Sequence, residues 1–117
     1  MKVRRASRED IDTFSDLKSK PTIKAYVGEI DGKIVAIGGL ALSGGRWFGF
    51  CDLTEDARNH KFTIARMGKR IMDEAKSMGL RFVYAEASPN EPTAERWLTS
   101  LGFELDPRSA YLYRWRN

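Results

Sequence analysis

The sequence is poor in residues that build covalent or metal-held frameworks, because its 117 residues include one cysteine, Cys51, and one histidine, His60. A single cysteine excludes an internal disulfide framework and is typical of a reducing compartment, so we expect a cytoplasmic location. Structural zinc sites use four Cys or His ligands, so one residue of each kind predicts no metal site.

Long apolar runs are also absent. No stretch approaches the roughly 20 apolar residues that cross a bilayer. The basic start MKVRRASRED has no apolar segment behind it, so no signal peptide is predicted. The net charge of +4 is spread along the chain without an arginine run. We therefore expect neither a membrane nor a nucleic-acid partner.

Glycine is missing where it would be informative, between Phe50 and Met67. The run RWFGFCDLT predicts a strand, and EDARNHKFTIARMGKR after it predicts the start of a helix. A strand that leads into a helix N-terminus is a common phosphate site, because the helix N–H groups point at the ligand. Glycine usually lets phosphate approach such a backbone closely. The segment therefore predicts either a phosphate site made by side chains or only the shape of one.

The first half of the chain predicts a short strand, a short helix and three more strands. Ser7 is suited to cap the helix, whose first turn is acidic. Asp31 and Gly32 form a hairpin signal between two apolar runs. A second turn, SGGR, leads into the strand from Trp47 to Thr54. These features predict a three-stranded antiparallel meander.

The second half predicts two helices that alternate with strands. Apolar residues recur at helical spacing, and Gly79 fits the end of that helix. The segment RFVYAEAS predicts a strand, the Thr93–Leu101 region a second helix, and SAYLYRWR a final strand. The order β-α-β-β-β-α-β-α-β predicts one α/β domain over residues 1–117, with a mixed twisted sheet. We expect the two helices on opposite faces of it. The residues predicted to be buried are Ile64, Ile71, Ala75, Trp97 and Leu101.

This order, together with YAEASPNEPTAERWLTSLGFEL, resembles the GNAT superfamily of acyl-CoA-dependent N-acetyltransferases. The resemblance covers about Val3 to Trp115. It implies a GNAT fold, acetyl-CoA as the acyl donor and an amine acceptor on a small molecule or a protein. It also implies that the fourth and fifth strands separate at their carboxyl ends, between Leu53–Thr54 and Glu86–Ala87, to admit the pantetheine arm.

The GNAT cofactor loop, Arg/Gln-x-x-Gly-x-Gly/Ala, aligns with the segment from Arg58 to Thr63. Arg58 matches the first position, whereas Lys61 and Thr63 replace both glycines. The resemblance implies that pyrophosphate lies near the start of the helix, with these three side chains as donors. An alternative is that they form a solvated first turn. The residues that the resemblance assigns to the cofactor are Leu53, Thr54, Arg58, Lys61, Thr63, Ile64 and Asn90.

The catalytic positions of the family are only partly matched. A general base usually comes from the fourth or fifth strand, where Asp52 and Glu86 are the candidates. These carboxylates could instead pair with Lys or Arg at the rim of the sheet. The tyrosine that protonates the leaving thiolate is replaced by Leu98, and Tyr84 is the substitute if it faces the cleft.

Two functions from different classes follow from these observations. One is an N-acetyltransferase that moves an acetyl group from acetyl-CoA to an amine. The other is a non-catalytic GNAT-like module that binds a protein partner or serves as a structural component, with a second copy of the chain as an alternative partner. The short chain and the loop without glycine are similar to those of small phage-encoded GNAT-like proteins, which implies a virion-associated location as an alternative.

Overall fold

The protein is described by a computed structural model that covers residues 1–14, 22–87, 94–109 and 112–117, without the side chains of residues 13 and 14. Three helices and seven strands are formed in these ranges. In chain order they are β1 (Lys2–Arg5), α1 (Arg8–Phe14), β2 (Ile23–Ile30), β3 (Lys33–Ser43), β4 (Arg46–Leu53), a 3-10 helix (Glu55–Asn59), α2 (Lys61–Ser77), β5 (Phe82–Glu86), α3 (Ala94–Ser100), β6 (Glu104–Leu105) and β7 (Leu112–Arg116).

All seven strands form one sheet in the order β1-β2-β3-β4-β5-β7-β6. The β4–β5 pair is parallel and the other pairs are antiparallel, so the predicted mixed α/β sheet is confirmed. The predicted hairpin is also confirmed, since Asp31 and Gly32 have φ values of 52° and 79°. The edge strand β6 was not predicted, because two residues are too few for a recognisable alternation.

The helix α1 begins at the predicted cap. The Asp10 N–H donates to Ser7 Oγ (3.1 Å), and the Ser7 N–H donates to Asp10 Oδ2 (2.8 Å). This reciprocal pair satisfies two backbone donors at the helix start. Ile11 then packs with Ala25, Val27 and Ile37 on one face of the sheet, which we call the α1 face.

The helix α2 covers the other face of the sheet, which we call the α2–α3 face. Its predicted apolar side is confirmed, with Ile64, Ile71 and Ala75 at 8%, 4% and 0% exposure. These residues belong to the same core cluster as Leu98 of α3 and Val83 of β5. No helix in the described ranges is both long and apolar enough to cross a membrane.

The prediction that the two later helices lie on opposite faces of the sheet is wrong. A Cβ atom added to Gly68 of α2 would lie 2.9 Å from Trp97 and 3.1 Å from Leu101, so α3 packs directly on α2. The reason is the strand order, because β4–α2–β5 and β5–α3–β6 both cross the sheet in the same direction. Right-handed crossovers in one direction put their helices on one face. Trp97 and Leu101 are half-buried in this helix–helix contact rather than buried.

Candidate functional site

The strands β4 and β5 touch at one point and then separate. Their ladder consists of the single pair Phe48↔Tyr84, whereas β4 stays paired with β3 as far as Leu53. The sheet is therefore open between the carboxyl ends of β4 and β5. The family resemblance predicted this gap, and the described residues on both sides of it, Leu53–Thr54 and Glu86–Ala87, form no continuous ladder.

The backbone of β4 directs polar groups into the gap. The Thr54 N–H donates to the Val35 carbonyl (2.9 Å), in register with the β3–β4 ladder. Residues in an antiparallel ladder alternate between bonding to one neighbour and facing the other side. The even-numbered residues of β4 therefore bond to β3, and Leu53 directs its N–H and C=O towards β5.

A cleft of about 650 Å³ extends from this gap between α2 and α3. Such a volume lies within the range of small-molecule sites. Its walls are mainly apolar, with a few charged side chains at the rim. The apolar residues that shape it include Gly49 and Leu53 of β4, Ile64 and Met72 of α2, and Leu98 and Leu101 of α3.

The mouth of the cleft lies at the start of α2. Arg58 of the 3-10 helix and Lys61 of α2 both line it, and the Arg58 guanidinium is 4.0 Å from the Glu55 carboxylate. The first helical hydrogen bond of α2 runs from the Ile64 N–H to the His60 carbonyl (3.0 Å), and the first turn contains no acidic residue. The positive end of the helix dipole thus adds to these two cations.

The remaining predicted cofactor residues are distributed unevenly around the cleft. Ile64 lines it, whereas Thr63 is half-buried outside its lining. The Thr54 hydroxyl is buried without a hydrogen-bond partner within the described part of the chain. A buried hydroxyl without a partner costs about 1–3 kcal/mol, so it is a candidate for a ligand contact. Asn90 lies outside the described residues.

The helix α3 forms the wall opposite α2. Leu98 is 5% exposed and lines the cleft, so an apolar side chain stands where a proton donor was expected. Burial raises the pKa of Tyr113 in β7, and the neighbouring Glu95 carboxylate of α3 raises it further.

The candidate base residues lie on the α1 face of the sheet, beside the gap. Asp52 is paired with Ile37, whose side chain belongs to that face, and both Asp52 and Glu86 are exposed at the rim of the cleft. Tyr84 is on the same face as Glu86, with its ring 5.9 Å from that of Phe48, and it does not line the cleft. Tyr84 therefore lies across the sheet from Leu98.

Sequence reasoning missed the residues that make room at the inner end of the cleft. Gly49 and Ala85 immediately follow the Phe48↔Tyr84 pair, and both line the cleft. A Cβ atom added to Gly49 would meet Val83 at 3.6 Å and Phe103 at 3.9 Å, which are ordinary contact distances. The signal was the glycine within the aromatic strand, since such a glycine marks a bulge or a close approach of a ligand.

Several solved structures have the same architecture. An IAA acetyltransferase from Bacillus cereus superimposes with a TM-score of 0.73 at 10% identity, over 98% of each chain. The ribosomal-protein-S18-alanine N-acetyltransferase from Escherichia coli gives 0.72 at 11% identity, over 98% of this chain and 92% of its own. An acetyltransferase of the GNAT family from Staphylococcus aureus gives 0.64 at 13% identity, over 80% and 67%. The chain has the GNAT fold.

Comparison of the sequence with family models and with curated protein sequences does not detect this likeness. No protein-family sequence model matches the chain, and no curated protein sequence matches it. At identities of 10–14% these structures establish the GNAT fold and not a shared activity. The resemblance to phage-encoded GNAT-like proteins stays a prediction.

Proposed function

We propose that the protein is an N-acyltransferase that moves an acetyl group from acetyl-CoA to an amine. One observation carries the proposal: β4 and β5 separate after one pair and open into a cleft of about 650 Å³ that ends at the cationic start of α2. An extended arm with a polyanionic end has the shape and charge to fill this cleft. The acetyltransferases with the same fold support the acetyl-CoA assignment.

The proposed donor site divides into a charged mouth and an apolar interior. Arg58 and Lys61 would hold pyrophosphate at the mouth through charge-assisted hydrogen bonds, with Thr63 as an additional donor. The N–H and C=O of Leu53 would bond to the amide groups of the pantetheine arm, as a neighbouring strand would. Ile64 would pack against the arm, and Thr54 and Asn90 are further proposed contacts.

The proposed reaction forms an N–C bond and breaks the thioester C–S bond. Asp52 or Glu86 would take the proton from the attacking ammonium group, since both carboxylates are exposed at the rim of the gap. The neutral amine would then attack the acetyl carbonyl, and collapse of the adduct would release CoA as a thiolate while the nitrogen loses its second proton to water. The proton on the carboxylate would also pass to water.

Protonation of the leaving thiolate is the weakest part of this site. Leu98 cannot donate a proton, and Tyr84 is directed to the opposite face of the sheet from Leu98. A thiol with a pKa near 8.5 leaves as a tolerable thiolate at neutral pH, and water can then protonate it. The expected consequence is a slow enzyme, because a positioned acid typically contributes about 10²–10⁴-fold to the rate.

Leu98 and the cofactor loop without glycine also favour a second function. With Leu98 in the cleft and side chains at Lys61 and Thr63, the fold would suit a non-catalytic module that binds a protein partner or a second copy of the chain. The two proposals differ in one measurable property, which is the affinity for acetyl-CoA.

The decisive experiment is a thermal shift with acetyl-CoA, at low and at high salt. A ligand at about 100 times its dissociation constant adds about 2.7 kcal/mol to the free energy of unfolding. We expect stabilisation that weakens with salt, because charged side chains replace the backbone contacts of a glycine loop. Arg58→Gln should reduce the shift, whereas Lys69→Gln, on an exposed position of α2 outside the cleft lining, should not.

A double variant separates a working loop from a degenerate one. Lys61→Gly with Thr63→Gly should weaken acetyl-CoA binding if the lysine holds the phosphate, and strengthen it if the side chains only obstruct. The glycines cost about 1 kcal/mol each in helical positions, so each shift is compared with that of the same variant without ligand. If neither the unmodified protein nor the double variant binds acetyl-CoA at millimolar concentration, the enzyme proposal fails and the proposal of a partner-binding module stands.

A further inference from the structure

Two arginines lie over aromatic rings on the α1 face of the sheet, close to the gap. The Arg46 guanidinium carbon is 5.1 Å from the centre of the Tyr84 ring, and that of Arg114 is 5.2 Å from the Phe82 ring. Tyr84 also packs on Phe48, with 5.9 Å between ring centres. The rings hold both guanidinium groups in place through cation–π contacts.

This part of the face is not covered by a helix in the described chain. Ile11 of α1 packs against Ala25, Val27 and Ile37, which belong to β2 and β3. The side chains of Phe82, Tyr84 and Arg114 are only half-buried, and Arg46 is exposed. A ligand can therefore reach the two arginines from solvent.

The charges of the two arginines are differently balanced. Neither guanidinium forms an ion pair with another described residue. Arg114 is nevertheless paired with Glu104 across the β6–β7 ladder, and its charge contributes to the lowered pKa of Asp106. The ladder partner of Arg46 is the uncharged Ser43. Arg46 is thus the stronger candidate for an anionic ligand.

The arginines and the candidate bases are arranged along the strand direction. Glu86 follows Tyr84 by two residues on the same face, which corresponds to about 7 Å along a strand. Arg114 is directly opposite Tyr84 in the β5–β7 ladder, and Arg46 reaches over the Tyr84 ring. Along the strand direction, the ring under the Arg46 guanidinium is therefore about 7 Å from Glu86, and Phe82, the ring under the Arg114 guanidinium, is about 7 Å farther away.

We propose that the acceptor is a small primary amine that carries a carboxylate or phosphate several bonds from the nitrogen. The amine lies at the gap beside Asp52 and Glu86, and its oxyanion binds the Arg46 guanidinium over Tyr84, with the Arg114 guanidinium over Phe82 as the more distant cation. This inference rests on the proposed acyltransfer function and specifies its acceptor. An α-amino acid does not meet this geometry, because its carboxylate is attached next to the amine-bearing carbon.

The test compares amines that differ in one feature. ε-Aminocaproate and a length-matched aminoalkyl phosphate carry the oxyanion, hexylamine lacks it, and glycine has it too close to the nitrogen. With acetyl-CoA, we expect KM for ε-aminocaproate or the phosphate to be about tenfold lower than for hexylamine, as expected for a hydrogen bond to a charged group. Which of the two binds better distinguishes carboxylate from phosphate. Equal KM values for hexylamine and both anionic amines would overturn the proposal while leaving acyltransfer intact.

Variants of the two arginines provide the second arm. Arg46→Gln should raise KM for the anionic amine about tenfold without changing kcat, and Arg46→Lys should recover part of the loss. Arg114→Gln should have a smaller effect, because Glu104 and Asp106 already balance part of its charge. The matched control is Arg70→Gln, which removes an arginine placed 5.1 Å over the Tyr26 ring on the other face. An equal change in KM in the Arg70 variant would overturn the proposal.

A third arm does not depend on acyl transfer. The Nε–Hε signals of Arg46 and Arg114 in a nitrogen–proton correlation spectrum should shift on titration with ε-aminocaproate or the phosphate, and hexylamine should leave them unchanged. This result supports the anionic site even if acetyl-CoA does not bind, so the two proposals fail separately. Shifts caused by a single-stranded RNA oligonucleotide and by neither anionic amine would overturn the small-acceptor proposal in favour of a nucleic-acid surface.

Discussion

The β3–β4 and β4–β5 seams belong to one sheet but have opposite characters. The β3–β4 seam is continuous over eight residue pairs, from Ala36↔Leu53 to Ser43↔Arg46, whereas β4 and β5 share one pair. The β3–β4 seam pairs one side of β4 along its whole length. The β4–β5 seam leaves backbone groups on the other side of β4 unpaired with β5, beside the cleft. The comparison indicates that β4 is held firmly on one side so that its other side can stay open.

Glycines show the same contrast at the level of single residues. A Cβ atom added to Gly39 in β3 would lie 2.1 Å from the Lys24 carbonyl oxygen and 2.7 Å from the Ala25 Cα. At Gly49 in β4 the nearest atom outside its chain neighbours would be 3.6 Å away. We call the continuously paired strands β1 to β3 with α1 the closed half, and the β4–β5 gap with α2 and α3 the open half. Glycine allows close backbone contact in the closed half and leaves space in the open half.

The largest expected effect is that of Gly39→Ala, which attacks the closed half. Inserted methyl groups usually cost about 1–3 kcal/mol, and here the obstacle is backbone that cannot rotate away. We expect a larger loss, sufficient to leave little folded protein in a urea denaturation series. Gly49→Ala is the matched control, with the same chemical change in a neighbouring strand and a stability close to that of the unmodified protein. An equal loss of stability in both variants would mean that Gly49 beside the gap is packed as tightly as Gly39 is against β2.

The next largest effect is expected for Ile71→Ala, at the centre of the α2–α3 face. Ile71 is 4% exposed, and removing a buried isoleucine side chain costs about 2–5 kcal/mol. The measurement is the free energy of unfolding from urea titration. Phe62→Ala, which changes a large side chain on the same helix at 88% exposure, should cost little. A loss below about 1 kcal/mol at Ile71 would mean that α2 is not firmly packed on the sheet.

The fold was predictable because its signals are local and periodic. Helical spacing identified Ile64, Ile71 and Ala75, and the Ser7 cap and the Asp31-Gly32 turn marked element ends. The face on which α3 packs was predicted wrongly, because it depends on the strand order β4-β5-β7-β6. That order brings together residues far apart in the sequence, and no local pattern specifies it.

The candidate site was only partly predictable for the same reason. The resemblance correctly predicted the gap between β4 and β5. The cation–π contacts of Arg46 and Arg114 were not predicted, because they join three strands that are distant in the chain. The roles of the individual site residues stay predictions until binding and kinetics are measured.

A smaller effect is expected for Gly68→Ala, which tests how tightly the open half is lined. The new methyl group would meet the ends of Trp97 and Leu101 at 2.9–3.2 Å, and these side chains can move. Helix propensity gains about 1 kcal/mol, which offsets part of the packing cost. We expect a net loss of about 1 kcal/mol in urea titration, together with weaker acetyl-CoA binding because α3 is pushed away from α2. Unchanged binding with this loss would show that the α2–α3 contact does not shape the donor site.

The smallest effect concerns acid and should be confined to the closed half. The side chain of Arg4 (2.7 Å) and the N–H of Ser7 hold the pKa of Asp10 well below its usual range. The free Asp pKa is about 3.9, so this stabilisation is complete above about pH 4 and is lost as the pH falls further, towards the lowered pKa of the folded protein. We expect amide exchange in α1 to increase below about pH 4 before exchange in α2 does, after correction for intrinsic rates. Asp10→Asn has no charge to lose at this position, so its α1 should exchange faster than that of the unmodified protein at pH 7 and respond less to acid. Faster exchange in α2 than in α1 on acidification would contradict the prediction that the Asp10 contacts stabilise α1.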